Sequence, residues 1–180
     1  MVEISYKNDI LHAANICLPW EKLDGCNILI TGATGLIGSC IVEALMAHAP
    51  RNFDIYACGR NGQRAKDRFH YVIHAASNAS PNFFATKPVE VIFANILGVK
   101  NLMEYGLKHN MKRLLYVSSG EVYGEGNGDE FSEDYSGYVN PLLSRNCYPS
   151  SKRTAENLCV CYVEEYGVDC VIARPCHVYG

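Results

Sequence analysis

A chain of 180 residues, 48% of them hydrophobic and 19% charged, has the composition of one ordinary globular domain, long enough to bury a core without covalent staples. Its formal net charge of −3 gives no electrostatic basis for gripping nucleic acid or an anionic membrane. No apolar run approaches the ~20 residues of a spanning helix, and the opening MVEISYKNDILHAANICLPW lacks the basic stretch and continuous apolar run of a secretory signal. A cytoplasmic setting is expected, which bears on the nine cysteines. Their number is odd, their positions are scattered, and no Cys-x-x-Cys occurs. Cys159 and Cys161 stand two apart on a predicted helix and so point to different sides. Reduced, mostly buried thiols are expected, and no metal site.

Residues 1–24 read as an N-terminal extension in which Asn8 or Asp9 is placed to cap a short helix and Trp20 to pack. Residues 25–180 then alternate strand-like and helix-like stretches, the pattern of a parallel α/β sheet. Residues 27–31 (NILIT) read as the first strand, entering Gly32 and an apolar helix over 36–47. Residues 54–58 (DIYAC) read as a second strand, followed by a short charged helix over 62–69. Residues 71–76 (YVIHAA) are a third, then a helix over 89–109 carries Ile92, Asn95, Ile96, Val99, Leu102 and Met103 at helical spacing. Residues 113–118 (RLLYVS) are a fourth strand. The last helix has Pro149 in its first turn, Gly167 at its end, and an apolar stripe through Ala155, Leu158, Cys159, Tyr162, Val163 and Tyr166. Residues 168–173 (VDCVIA) close the series.

One connection is too short. Nine residues separate Arg60 from His70, whereas a crossover unit needs at least ~10–12. A doubly wound sheet would also place another strand in that interval. The expected fold is therefore a Rossmann-type doubly wound parallel sheet lacking one strand–helix unit near 61–70.

TGATGLIG, residues 31–38, lies between the first strand and its helix, with Gly32, Gly35 and Gly38 at three-residue intervals. Glycine permits the tight turn and lets backbone approach a pyrophosphate, whose charge the helix N-terminus then favours. Dinucleotide binding is the reading this context supports. An acid commonly ends the second strand to hold the adenosine ribose. Here the residues are Cys58, Gly59, Arg60 and Asn61, and Arg60 is suited to a 2′-phosphate, which favours NADP.

Tyr148 and Lys152 stand four apart on one face near the start of the last helix. A phenol with an ordinary pKa of ~10 needs about 4 kcal/mol of help to act as a base near neutrality. An ammonium and an oxidised nicotinamide supply it. The third candidate is Ser119, in YVSSGEVYG (116–124), at a strand end where ligands bind in open α/β sheets. Alternation along the strand leaves Ser118 as its competitor.

These segments, with VIHAAS, Asn95 in its helix and ARPCHVYG, resemble the extended short-chain dehydrogenases/reductases, the NAD-dependent epimerases/dehydratases. The resemblance runs from about Gly25 to Gly180. It implies that Ser119, Tyr148 and Lys152 are the catalytic triad and that Asn95 is the asparagine beneath the active site. It implies dinucleotide contacts from Gly32, Thr34, Gly35, Leu36, Ile37 and Gly38, from Ala75, Ala76 and Ser77, and from Asn95, Tyr148, Lys152 and Pro175. NAD is the cofactor the resemblance implies, with NADP as the alternative from Arg60. It also implies a homodimer built on the helices over 89–109 and 149–166, where Phe93, Leu97, Val160 and Tyr166 add apolar positions beyond one stripe. Much of the family's C-terminal substrate domain would lie beyond residue 180.

Within the family, HAASNASPNFF (74–84) and SEDYSGYVNPLLSRNCY (132–148) are similar to segments of the UDP-glucuronate decarboxylases, also called UDP-xylose synthases. That likeness implies a UDP-sugar substrate touched by Ser80, Ser119, Glu121 and Arg145. It further implies oxidation at carbon 4, loss of the carbon 6 carboxylate from the resulting β-keto acid, and return of the hydride. Glu121 would position water or a proton at the reacting centre. Gly120 stands where 4,6-dehydratases carry the aspartate of an Asp-Glu pair, which argues against dehydration. A 4-epimerase needs only the triad and remains the alternative enzyme; a dinucleotide-binding sensor or scaffold is the non-enzymatic one.

Overall fold

The computed structural model describes residues 2–59, 68–126, 128 and 130–178. Five parallel strands form one sheet: β1 (Asn27–Thr31), β2 (Asp54–Cys58), β3 (Tyr71–His74), β4 (Arg113–Val117) and β5 (Cys170–Ala173). Their spatial order is β2-β1-β3-β4-β5. β1 is flanked on both sides, with Leu29 opposite Tyr56 of β2 and Val72 of β3. The winding reverses between β1 and β3, and the crevice beyond their carboxyl ends is where an open α/β sheet takes a ligand. Among the described residues no further strand lies outside β2, as expected of a doubly wound sheet one strand–helix unit short. The predicted helix over 62–69 falls largely outside the described residues; Arg68 and Phe69, which are described, are not helical.

Alternation along β1 explains the two cores. Ile28 and Ile30 point to one face, where they meet Leu45 of α2 (Leu36–Ala47) and Phe53. Val72, Leu114 and Tyr116 point to the other, against Val99 and Met103 of α4 (Pro88–His109) and Ala155 and Cys159 of α5 (Cys147–Tyr166). Truncating a fully buried side chain such as Met103 costs about 2–5 kcal/mol. Cys159 is buried and Cys161 exposed, as their spacing requires, and all nine cysteines are free.

Two strands end sooner than predicted and a third begins later. Ala75, Ala76 and Ser118 have left the ladder because the chain turns there into the crevice, and β5 begins at Cys170 rather than at 168. The N-terminal expectation is corrected more sharply. Asn8 and Asp9 cap nothing: they lie inside α1 (Val2–Ala14), which packs along α2 and so starts well before them. Trp20 packs, stacking on His48 with ring centroids 3.9 Å apart, while His48 Nδ1 meets the Ala14 carbonyl at 2.8 Å. Among the described residues no helix is long and apolar enough to cross a membrane, and no group of His, Cys, Asp and Glu is set to hold a metal.

Candidate active site

The glycine loop is built by close approach. Gly32 has φ +73°, and a Cβ there would sit 2.6 Å from the Ala75 carbonyl carbon, so the exits of β1 and β3 touch backbone to backbone. A Cβ on Gly38 would collide with the Gly32 carbonyl, which is why the first turn of α2 can close on the loop. Thr31 Oγ1 and His74 Nδ1, at 2.6 Å, tie the same two strand ends together. Gly35 caps α2 without a side-chain bond, leaving first-turn amides for an anion.

Two cavities open along the strand ends. One, of about 950 Å³, is lined by Gly32, Thr34, Gly35, Cys58, Gly59, Ala75, Ala76 and Ser77. No carboxylate stands among its described lining residues, and Arg60 lies outside the described residues. The other, of about 890 Å³, shares Gly35, Ala75 and Ser77 and runs on through Leu36, Ile37 and Gly38 to Ser119, Glu121, Tyr148, Lys152 and Pro175. The shared walls join the two into one cleft.

Tyr148 and Lys152 enter this cleft from the first two turns of α5, and both are buried. The Lys152 ammonium, 1% exposed, donates to the Val117 carbonyl at 2.8 Å and lies 4.7 Å above the Tyr116 ring and 5.8 Å from that of Tyr148. Burial lowers its pKa to about 8, with Glu156 one turn on opposing the shift. Burial raises the Tyr148 phenol, the hydroxyls of Ser119 and Ser77 pull it down, and the Glu121 charge pushes it up. The two serines, both in the wall of this cavity, have different surroundings. Ser119 reaches the phenol and accepts from the Glu121 amide at 3.2 Å, while Ser118 Oγ is buried with no partner among the described residues.

Asn95, 1% exposed, lies behind the cavity wall, one hydrogen bond from Ser77, which lines both cavities. It receives a bond from Ser77 Oγ at 2.8 Å and donates to Ser151 Oγ at 3.0 Å; Ser151 in turn donates to the Tyr148 carbonyl at 3.0 Å. The cleft floor is thereby bonded to the turn of α5 that carries the phenol. Ser80 stands next to Ala79 of the cavity wall. It caps α3 (Pro81–Thr86) by backbone alone and lines neither cavity, because the chain turns into α3 just short of the cleft. Arg145 also stands outside the cavity wall, spent on Glu121 at 3.1 and 3.2 Å.

Several residues here were given no role by the sequence, although His74, Phe84, Cys176 and His177 lie in the segments that carry the family resemblance. His74 is buried, lowered to about 4 by desolvation and then by the Lys152 charge, and stacked on Tyr116 at 5.8 Å. Phe84 stacks on Tyr148 at 4.6 Å, and Phe131, Cys176 and His177 complete the cavity wall. They reach the site from a strand, a helix, a loop and the chain beyond β5, and no periodicity assigned them a place in it.

Fold and site together define a doubly wound α/β domain with a glycine-loop crevice and a buried tyrosine–lysine pair at its far end. Residues 28–180 match the sequence profile of the NAD-dependent epimerase/dehydratase family. UDP-glucuronic acid decarboxylase 1 of Danio rerio is 32% identical, the match covering 89% of this chain and 43% of that protein. UDP-glucuronic acid decarboxylase 6 of Arabidopsis thaliana is 34% identical, covering 85% of this chain and 51% of that protein. Among solved structures, the UDP-glucose 4-epimerase of Thermus thermophilus in complex with NAD superposes with a TM-score of 0.67 at 28% identity, covering 82% of this chain and 54% of that one. The chain belongs to the NAD-dependent epimerase/dehydratase family. It spans about half the length of the curated relatives it matches.

Proposed function

We propose that this chain is the dinucleotide-binding and catalytic portion of an enzyme that oxidises a UDP-sugar at carbon 4, with UDP-glucuronate as substrate and decarboxylation as outcome. The observation that carries the reading is the buried Tyr148–Lys152 pair at the end of a cleft that begins at the glycine loop. The cleft fits a dinucleotide: backbone crowds its floor at Gly32, where a side chain would clash, and a buried ammonium waits at its reactive end.

NAD, held along the glycine loop at residues 32–38 and near Lys152, would accept the hydride and later return it to carbon 4. Tyr148, as phenolate, takes the proton of the carbon 4 hydroxyl as hydride departs, so that carbon becomes a ketone. Ser119 donates to that oxygen and holds it at the phenol. Lys152 favours the phenolate through its charge. A ketone β to the carbon 6 carboxylate lets carbon dioxide leave with its electron pair retained as an enolate, which is then protonated at carbon 5 and reduced at carbon 4. Glu121, in the cavity wall, orients the water or proton for that step. The 28% identical UDP-glucose 4-epimerase fold supports a second reading, in which the same ketone rotates and is reduced from its other face.

NAD is preferred to NADP on the family's pattern, and mass spectrometry of small molecules released on denaturation tests this. Recovery of only the 2′-phosphorylated form overturns the choice. Product analysis after incubation with UDP-glucuronate and UDP-glucose separates the two readings: UDP-xylose and carbon dioxide support decarboxylation, inverted carbon 4 supports epimerisation, and neither product refutes both.

A further inference from the structure

Arg145 has a geometry that substrate contact does not explain. It sits in the 3-10 turn Ser144–Asn146, and its guanidinium takes both oxygens of Glu121, Nη1 to Oε2 at 3.2 Å and Nη2 to Oε1 at 3.1 Å. The guanidinium carbon lies 4.8 Å from the centroid of the Phe84 ring, and that buried ring stacks on Tyr148 at 4.6 Å. Arg145 is therefore linked to the phenol along two routes while standing outside the cavity wall itself.

The groups facing Tyr148 show why this matters. Ser119 and Glu121 come from the turn after β4, and Ser77 from the chain after β3. Lys152 and Cys147 come from its own helix, Tyr116 from β4, and Cys176 and His177 share the cavity from beyond β5. Among these neighbours Glu121 is the one carboxylate. A bare carboxylate at that position repels a phenolate, and a guanidinium bound to it bidentately offsets part of that repulsion.

We propose that Arg145 is a positioning residue that pins Glu121 to the cavity wall and offsets part of its repulsion of Tyr148, so that the phenol can release its proton with Glu121 beside it. The inference rests on the acid–base role of Tyr148 proposed above. Glu121 stays oriented for the substrate without working against the neighbouring base.

The test is a titration that needs no sugar. Tyrosine labelled with ¹³C at Cζ is incorporated, and the Tyr148 signal is assigned by its loss in Tyr148→Phe. The phenolate-to-phenol ratio of Tyr148 is then compared, with NAD bound, at the highest pH at which every variant keeps its folded amide spectrum. Arg145→Gln should lower that ratio about threefold, a rise in midpoint of about half a pH unit for an unscreened charge at this range. Glu121→Gln should raise it, the double variant should return near wild type, and Arg145→Lys should recover most of the loss. A ratio in Arg145→Gln equal to or above wild type overturns the proposal, as does a double variant as low as Arg145→Gln. Should Arg145→Gln not fold, Glu121→Gln decides alone, and no rise overturns it. A wrong substrate would show in the product analysis and leave this titration standing.

Discussion

Replacing Lys152 by methionine should abolish chemistry and stabilise the fold. The ammonium is almost fully buried, and burial brings its pKa from the ordinary 10.5 to about 8. At ~1.4 kcal/mol per pH unit that gap means the folded state carries the charge at a cost of about 3 kcal/mol. Methionine removes the charge and keeps apolar contact with Tyr116, but it strands the Val117 carbonyl that Lys152 now satisfies. An orphaned buried acceptor takes back about 1–2 kcal/mol. The net gain is about 1–2 kcal/mol, a rise in Tm of about 2–8 °C for a chain this size. The pH dependence supplies a sharper check. The folded pKa is depressed, so the cost is complete below about 8, where both states are charged, and fades as pH climbs from about 8 towards 10.5. There the folded lysine has lost its proton and the unfolded one has kept it. Wild type should therefore close on the variant in thermal melts run at neutral pH and again in that alkaline window. A folded variant that melts below wild type at neutral pH, or a difference that does not narrow, refutes the reasoning.

His74 should set an acid limit on stability. Its folded pKa of about 4 is below the ordinary 6.5, so stability is lost as pH falls from 6.5 through about 4, by about 3 kcal/mol at most; urea unfolding of His74→Gln should show a shallower acid loss than wild type, and equal slopes would remove His74 as the cause. Tyr148→Phe keeps the ring stacked on Phe84 and should fold and bind NAD normally while substrate oxidation falls by ~10²–10⁴; wild-type rates of NADH formation would exclude the phenol as base. The chain is expected to pair with a second copy through the outer faces of α4 and α5, where Phe93, Leu97, Val160 and Tyr166 stand exposed. Sedimentation of wild type as a dimer, and of Phe93→Glu as a monomer, is the expected result; a monomeric wild type at micromolar concentration counts against it.

Local pattern was enough for most of the sheet and for two of the site's landmarks. β1, β2 and α2 begin and end where alternation, glycine and helical spacing place them, because each is decided by neighbours within a few residues. The spacing of Tyr148 and Lys152 likewise dictates that they share a helix face, and the glycine loop announces its own tight turn. The length of α1 was not legible, since what extends it past Asn8 and Asp9 is its contact with α2 rather than any cap.

What the tertiary structure alone decided is which groups meet. The nearness of Ser119 to the Tyr148 phenol, the bonds of Asn95 to Ser77 and Ser151, and the place of Ser80 at the start of α3 all depend on where strand exits turn. So does the clasp of Arg145 on Glu121, between residues 24 apart in the chain. Hydrogen bonds and charges act over a few ångströms, and sequence distance says nothing of those. The pattern of the chain determines its elements, because they are stabilised locally; the electrostatics of the site belong to the fold, because the side chains that shift Tyr148 reach it from segments outside its own helix.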